Sequence, residues 1–237
     1  MGPIPYIDSP VMRFLGGFAH RSEAFDNFIL AFVRLDLFKG AIILAILVWL
    51  WFGLDPTIRE RRTIVLQSVL GALVAALASQ ILQSGLDRAR PVMGAIEFVR
   101  LHGLSDNEIE WMKSIHSFPS DHAAFFGAVA IGVWLADRRW GLFAFAWTII
   151  VADLPRIYAG LHYPSDILAG LMLGVVVTLA MRRPAKALVE PVLRWEKAHA
   201  ASFYCAAFLA FYEMARLFDE VRQLGAMLLR SGRILLA

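Results

Sequence analysis

A chain of 237 residues with a single cysteine, Cys205, has no internal disulfide and no thiolate metal site. Charge is scarce too: only 18% of residues are Asp, Glu, Lys or Arg, and the net +3 is too small for a nucleic-acid-binding surface. The opening residues, Met-Gly-Pro-Ile-Pro, lack the basic stretch and apolar run of a cleavable signal. No processing is expected. No repeat, low-complexity tract or long polar linker breaks the chain, so one helical domain is expected.

Apolar residues fill what charge leaves. The hydrophobic share is 59% and the mean hydropathy +0.60, above the range of ordinary soluble domains. A membrane crossing takes roughly 20 apolar residues over about 30 Å of hydrocarbon. Five runs approach this length: Leu37–Leu54, Thr63–Leu86, Pro119–Ala136, Trp140–Leu154 and Pro164–Met181. A sixth, Ala200–Leu217, carries Glu213 and Arg216 in its second half and is expected to cross, tilt or rest in the interface. The expected fold is all-α, a polytopic membrane bundle of five to six transmembrane helices. Its parts are an interfacial amphipathic segment at 1–36, a five-span core at 37–181, and a linker with a C-terminal helix or sixth span at 182–237.

The N-terminal segment is amphipathic, with Phe14, Leu15, Phe18, Phe25, Phe28, Ile29 and Phe32 interleaved with Arg13, His20, Arg21, Glu23 and Asp26. This pattern suits an interfacial helix or helical pair better than a span. Gln67, Gln80 and Glu213, polar groups within apolar runs, are expected to bond between helices.

Lys and Arg accumulate in cytoplasmic loops. Arg59, Arg61 and Arg62 precede the second run, Arg138 and Arg139 the fourth, and Arg182, Arg183 and Lys186 follow the fifth. These three loops therefore share one side. The opposite side receives Asp87–Phe118, where Ser105–Met112 reads as a short capped surface helix, and the connection Pro155–Tyr163.

Charges at a membrane edge are costly, so several arriving at one face from different runs call for a functional reason. Arg90-Pro91 closes the second run; Pro119, Ser120, Asp121 and His122 open the third; Arg156, His162 and Asp166 bracket the start of the fifth. Proline suits a first helical turn and sets Ser120 and His122 beside backbone N–H groups that attract anions; a capped helix start is the plainer reading of the same residues. With helix from about Pro164, Asp166 lies one turn beyond His162 and is placed to accept from Nδ1, leaving Nε2 as a nucleophile. Two arginines to grip phosphate oxygens and a second histidine to protonate a leaving oxygen complete the equipment for phosphoryl transfer. Asp153 is placed either behind this site or at the aqueous edge.

These three clusters resemble the signature of the type 2 phosphatidic acid phosphatase superfamily, which shares its active site with vanadium-dependent haloperoxidases. The signature runs lysine, six residues, Arg-Pro; then Pro-Ser-Gly-His; then Ser-Arg, five residues, His, three residues, Asp. The resemblance spans about Gln83–Asp166. It implies that His162 attacks phosphorus to form a phosphohistidine, that Asp166 orients it, and that Arg90, Ser120 and Arg156 hold the phosphoryl oxygens. His122 then protonates the leaving group and activates water. The arginines and a helix N-terminus take the place of a cation, so neither metal nor cofactor is expected.

Three positions depart from the signature: Gln83 stands for the lysine, with Arg88 or Lys113 available to compensate; Asp121 replaces the glycine; Pro155 replaces the serine before Arg156. The Pro-Ser-Asp-His variant looks most like bacterial undecaprenyl-diphosphate phosphatases. The expected activity is thus hydrolysis of a lipid phosphate or diphosphate at the periplasmic or extracellular face of a bacterial inner membrane. A lipid-linked phosphotransferase and a catalytically silent lipid-binding protein are the alternatives.

Overall fold

The computed structural model describes residues 8–35, 37–53, 57–93 and 116–218. Every regular element among them is helical: α1 (Asp8–Gly16), α2 (Glu23–Arg34), α3 (Ile42–Trp51), α4 (Ile58–Gly85), α5 (Asp121–Ala136), α6 (Arg138–Tyr158), α7 (Pro164–Ala180), α8 (Arg182–Ala198) and α9 (Ala200–Ala215). The surface helix expected at Ser105–Met112 lies outside the described residues.

Among the described residues, two helices are long and apolar enough to cross a membrane, α4 with 28 residues and α6 with 21; a third arises if α7 and α8, bent by 58° at their junction, form one span. At 1.5 Å per residue α4 is about 42 Å long and α6 about 31 Å. The shorter apolar helices Lys39–Trp51, α5 and α9 have 10–17 residues. Large apolar side chains point outward along the bundle: Leu73, Leu77 and Ile81 on α4, Ile149 and Ile150 on α6, Leu168, Met172 and Val176 on α7. On each of α4 and α7 the i, i+4 spacing makes a continuous greasy stripe, which water would penalise and lipid would not.

The N-terminal segment forms the helical pair its pattern suggests. Ser22 caps α2 by accepting from Phe25 N–H at 3.4 Å. Met12 and Leu30 face inward, while Phe14, Phe18, Phe25 and Phe28 stay exposed. Gln67 bonds between helices as expected, its Nε2 donating to Thr178 O at 2.8 Å. Gln80 instead lies exposed on α4, because its position continues the outward stripe.

The core is α5, packed between α4 and α7. Ala123 to Ala130 are all buried on it, and small residues let the backbones approach. A Cβ on Gly170 would stand 2.4 Å from Ser120 O, and one on Gly174 would stand 2.2 Å from Ala124 O. The Gly-x-x-x-Gly spacing on α7 thus presses its second and third turns against the first half of α5. The close approach brings the N-terminal ends of two helices side by side.

Helix α6 differs from its expected boundary. The reading from sequence ends it near Leu154, yet helix continues to Tyr158, so Arg156 is helical and the connection shortens to Ala159–Tyr163. Pro155 cannot donate to a carbonyl one turn back. The chain meets this with a π-helical stretch at Thr148–Asp153, after which Pro155 falls in the first turn of a new α-helical segment. Asp153 is 1% exposed, which removes the aqueous-edge reading.

The basic clusters converge at the other end of the bundle. Arg59 pairs with Glu190, Arg62 Nη1 with Glu196 at 2.7 Å, and Arg182 with Glu60 at 3.4 Å. Because α4 and α6 run toward Arg90 and Arg156 while α5 and α7 run away, Arg138 and Arg139 share that end.

Candidate active site

The site forms where four chain segments meet: 88–93 after α4, 116–122 entering α5, the last turn of α6, and 161–166 entering α7. Backbone bonds tie them. Ser117 N–H donates to Arg88 O at 2.9 Å, Val92 N–H to Gly160 O at 2.9 Å, and Ser120 N–H to Asp166 O at 3.1 Å. Gly160 has φ of 69°, the left-handed conformation that ends α6 and frees its carbonyl for Val92.

His162 is fully buried. Its Nδ1 lies 2.9 Å from Ser117 O and 3.7 Å from Asp166 Oδ2. The first is a hydrogen-bond distance and the second exceeds one. A carbonyl only accepts, so Nδ1 carries the proton and Nε2 the lone pair. Sequence spacing alone assigned that bond to Asp166; the tertiary structure gives it to a main-chain oxygen 45 residues earlier. Asp166 instead sits at the third position of α7, accepting from Tyr163 N–H at 2.8 Å in a capping box. Its other oxygen receives Arg88.

Arg90 Nη1 is 3.4 Å from His162 Nε2 and donates to Leu161 O at 3.0 Å. Burial holds the Arg90 guanidinium below its usual proton affinity, against the charges of Asp121 and Asp166. His162 is likewise lowered, first by burial and then by Arg90, with Asp166 pulling the other way. A lone pair on Nε2 and a lowered proton affinity are what a nucleophilic imidazole requires.

His122 approaches from α5. Arg156 Nη2 lies 2.7 Å from its Nε2. Asp121 Oδ1 accepts from His122 N–H at 2.9 Å and lies 3.0 Å from Nδ1. The carboxylate that replaces a glycine thus folds back onto the histidine beside it and orients the ring. Arg156 and His162 lie within its electrostatic reach.

Two expectations change in detail. The N–H groups at the start of α5 are already engaged: His122 N–H bonds Asp121 and Ala123 N–H bonds Ser120 Oγ at 3.3 Å. Ser120 acts there as a helix cap through its oxygen, and its O–H remains a donor. Gln83, at the lysine position, donates to Pro119 O at 2.7 Å, beside Ser79 Oγ donating to the same carbonyl at 2.9 Å. It braces the turn into α5 and brings no charge.

Arg88 does not take over the lysine's part, since its guanidinium is committed to Asp8, Ser165 and Asp166. Lys113 lies outside the described residues. A buried cation that spacing missed is Lys39, 5% exposed, whose Nζ donates to Val33 O at 2.7 Å and whose charge acts on His122. A lone lysine inside the apolar run Leu37–Leu54 was the signal for it. Asp8, on α1, was missed as well.

The chain is similar in sequence and in fold to several known proteins. The profile of the PAP2 superfamily matches residues 64–188. YbjG of Escherichia coli strain K12, named provisionally as an undecaprenyl-diphosphatase, is 28% identical over 149 residues, covering 63% of this chain and 68% of YbjG. The bacitracin transport permease protein BcrC of Bacillus licheniformis is 28% identical over 122 residues, 51% of this chain and 55% of BcrC. A lipid A 1-phosphatase of Rhizobium johnstonii is 29% identical over 138 residues, 54% of this chain and 53% of that protein. The chain thus spans about two thirds of YbjG and about half of the other two. The crystal structure of Aquifex aeolicus LpxE superposes with a TM-score of 0.50 at 18% identity, over 73% of this chain and 93% of LpxE, a likeness of fold. With a profile covering more than half its length and the three clusters inside or beside the matched region, the chain belongs to the PAP2 superfamily of membrane phosphatases.

Proposed function

We propose that the protein hydrolyses the terminal phosphate of a membrane lipid, a lipid diphosphate of the undecaprenyl type in the first instance, through a phosphohistidine on His162. The observation that carries this reading is the pairing at His162: Nδ1 bound to the Ser117 carbonyl, and a lone pair on Nε2 beside a buried arginine. Arg90, Arg156 and the Ser120 hydroxyl hold the phosphoryl oxygens. Nε2 of His162 attacks phosphorus as the bond to the leaving oxygen breaks, and His122 Nε2 gives that oxygen its proton. In the free protein Nε2 faces the Arg156 guanidinium and carries a lone pair; a phosphate bound to Arg156 draws that guanidinium away, and Nε2 takes up from solvent the proton that it then gives. Asp166 stabilises the positive charge that builds on His162. In the second half His122 takes a proton from water, the hydroxide displaces Nε2 from phosphorus, and inorganic phosphate leaves. The scheme uses arginine charge for the phosphate and routes no step through a metal.

The lipid enters by argument from placement. On this reading the shorter apolar helices cross together with α4, α6 and α7, making five or six spans of a bacterial inner membrane; the basic loops then face the cytoplasm and the site the periplasmic or extracellular edge, where a chain stays in hydrocarbon while its headgroup meets the arginines. The names of YbjG and of the Rhizobium lipid A 1-phosphatase support the substrate class. The test is phosphate release by the purified protein in detergent from undecaprenyl diphosphate, lipid A and phosphatidate. Undecaprenyl diphosphate should be the best substrate, and His162→Ala should release none. Equal release by His162→Ala and wild type would overturn the mechanism, and a clear preference for another lipid would overturn the substrate.

A further inference from the structure

We propose that Asp8, on the interfacial helix α1, is a positioning residue of the active site that tunes His162 through Arg88 and Asp166. The proposal rests on His162 being the nucleophile. Asp8 is fully buried, although it begins a helix whose other face exposes Phe14 at 67%. Its Oδ1 accepts from Ser165 N–H at 2.8 Å and its Oδ2 from Ser165 Oγ at 2.7 Å. Arg88 Nη2 donates to the same Oδ2 at 2.7 Å. The other end of that guanidinium bonds Asp166 and donates to Ser165 Oγ at 2.9 Å, and its carbon stands 4.2 Å over the Tyr163 ring. Two buried carboxylates thus share one arginine, and the second of them lies 3.7 Å from His162 Nδ1.

The charge count gives the arrangement its effect. Arg88 alone would neutralise Asp166 and remove the negative field that favours positive charge on His162. With Asp8 holding the far side of the guanidinium, the trio keeps one net negative charge beside the nucleophile. Other charged groups face His162 from each packed element: Arg90 from the 88–93 segment, Arg156 from α6, Asp121 from α5 and Asp166 from α7. Tyr163 also faces Asp8. Seating of α1 does not depend on Asp8 alone, because Met12 packs with Ala123, Ile157, Tyr163 and Ile167.

The experiment compares wild type, Asp8→Asn, Arg88→Gln and the double variant Asp8→Asn/Arg88→Gln, purified in detergent, by the pH dependence of kcat/KM for a lipid diphosphate. Asp8→Asn should shift the acid limb down by about half a pH unit or more and lower kcat about three- to tenfold. KM should stay near the wild-type value. Arg88→Gln should shift the limb upward, and the double variant should return it toward wild type, since its net charge around Asp166 is restored. A purely structural role predicts losses that accumulate in the double variant with no opposed shifts. An unmoved limb in Asp8→Asn, or a double variant displaced further than either single, overturns the proposal. His162→Ala, run alongside, separates this from failure of the site reading: an active His162→Ala fails the reading, an inactive one with an unmoved Asp8→Asn limb fails only the role of Asp8. Should Asp8→Asn unfold, the comparison of Arg88→Gln with the double variant carries the same test.

Discussion

Replacing Asp166 by asparagine isolates electrostatics from orientation, because the hydrogen bond that sets the His162 ring comes from Ser117 O at 2.9 Å. The substitution keeps size and leaves that bond in place, so the loss should fall on charge stabilisation in the transition state. Asp166 Oδ2 is 3.7 Å from Nδ1, and unit charges at that distance in an effective dielectric of about 20 attract by about 4 kcal/mol. Arg88 on the other oxygen offsets about half of this. The expected range, about 2 to 4 kcal/mol, corresponds to a kcat about 30- to 1,000-fold lower with KM little changed. The assay is steady-state phosphate release from a lipid diphosphate in micelles, paired with rapid-quench detection of the phosphohistidine. Slower formation of that intermediate should account for the whole loss. A kcat within threefold of wild type would refute the reasoning, and so would an equal loss traced to KM.

Gly170→Ala would place a methyl group 2.4 Å from Ser120 O and 2.9 Å from Ala123 Cβ; overpacking of this kind costs about 1–3 kcal/mol, read as a lower Tm in detergent together with a lower kcat as α5 and α7 are forced apart. His162 is held below the ordinary histidine value of 6.5 by burial and Arg90, so the acid limb of kcat/KM should lie below that value. The same depression makes its contribution to stability complete above 6.5 and lost as pH falls toward the folded-state value, visible as a Tm that declines on acidification. Phosphate release should be unchanged in EDTA, and vanadate should inhibit by occupying the arginine pocket; loss of activity in EDTA restored by a divalent cation would show that arginine charge is insufficient.

Much of the site was legible because its chemistry needs particular side chains at helix ends. Arg90, Ser120, His122, Arg156, His162 and Asp166 all meet there, and the backbone bonds between segments explain why: Ser120 N–H reaches Asp166 O, and Val92 N–H reaches Gly160 O. The membrane-length helices were legible from apolar runs, while α8, at Arg182–Ala198, matches none; α4 begins at Ile58, five residues before its run, and α6 ends at Tyr158, four after its own, where Pro155 is absorbed by a π-helical stretch. Periodicity cannot show that device, since it depends on which carbonyls lack donors.

By itself, then, the sequence determined the membrane character, the helical class and which side chains are candidates for the site, because composition and local spacing act on each segment separately. Tertiary structure alone decided their partners. Ser117 O at His162 Nδ1, Asp121 turned onto His122, Gln83 bracing Pro119 O, and Asp8 joined to Arg88 are contacts between residues whose roles depend on direction and neighbours. No one-dimensional spacing encodes a hydrogen bond made across 80 residues. It arises because buried polar groups must find partners wherever packing brings them.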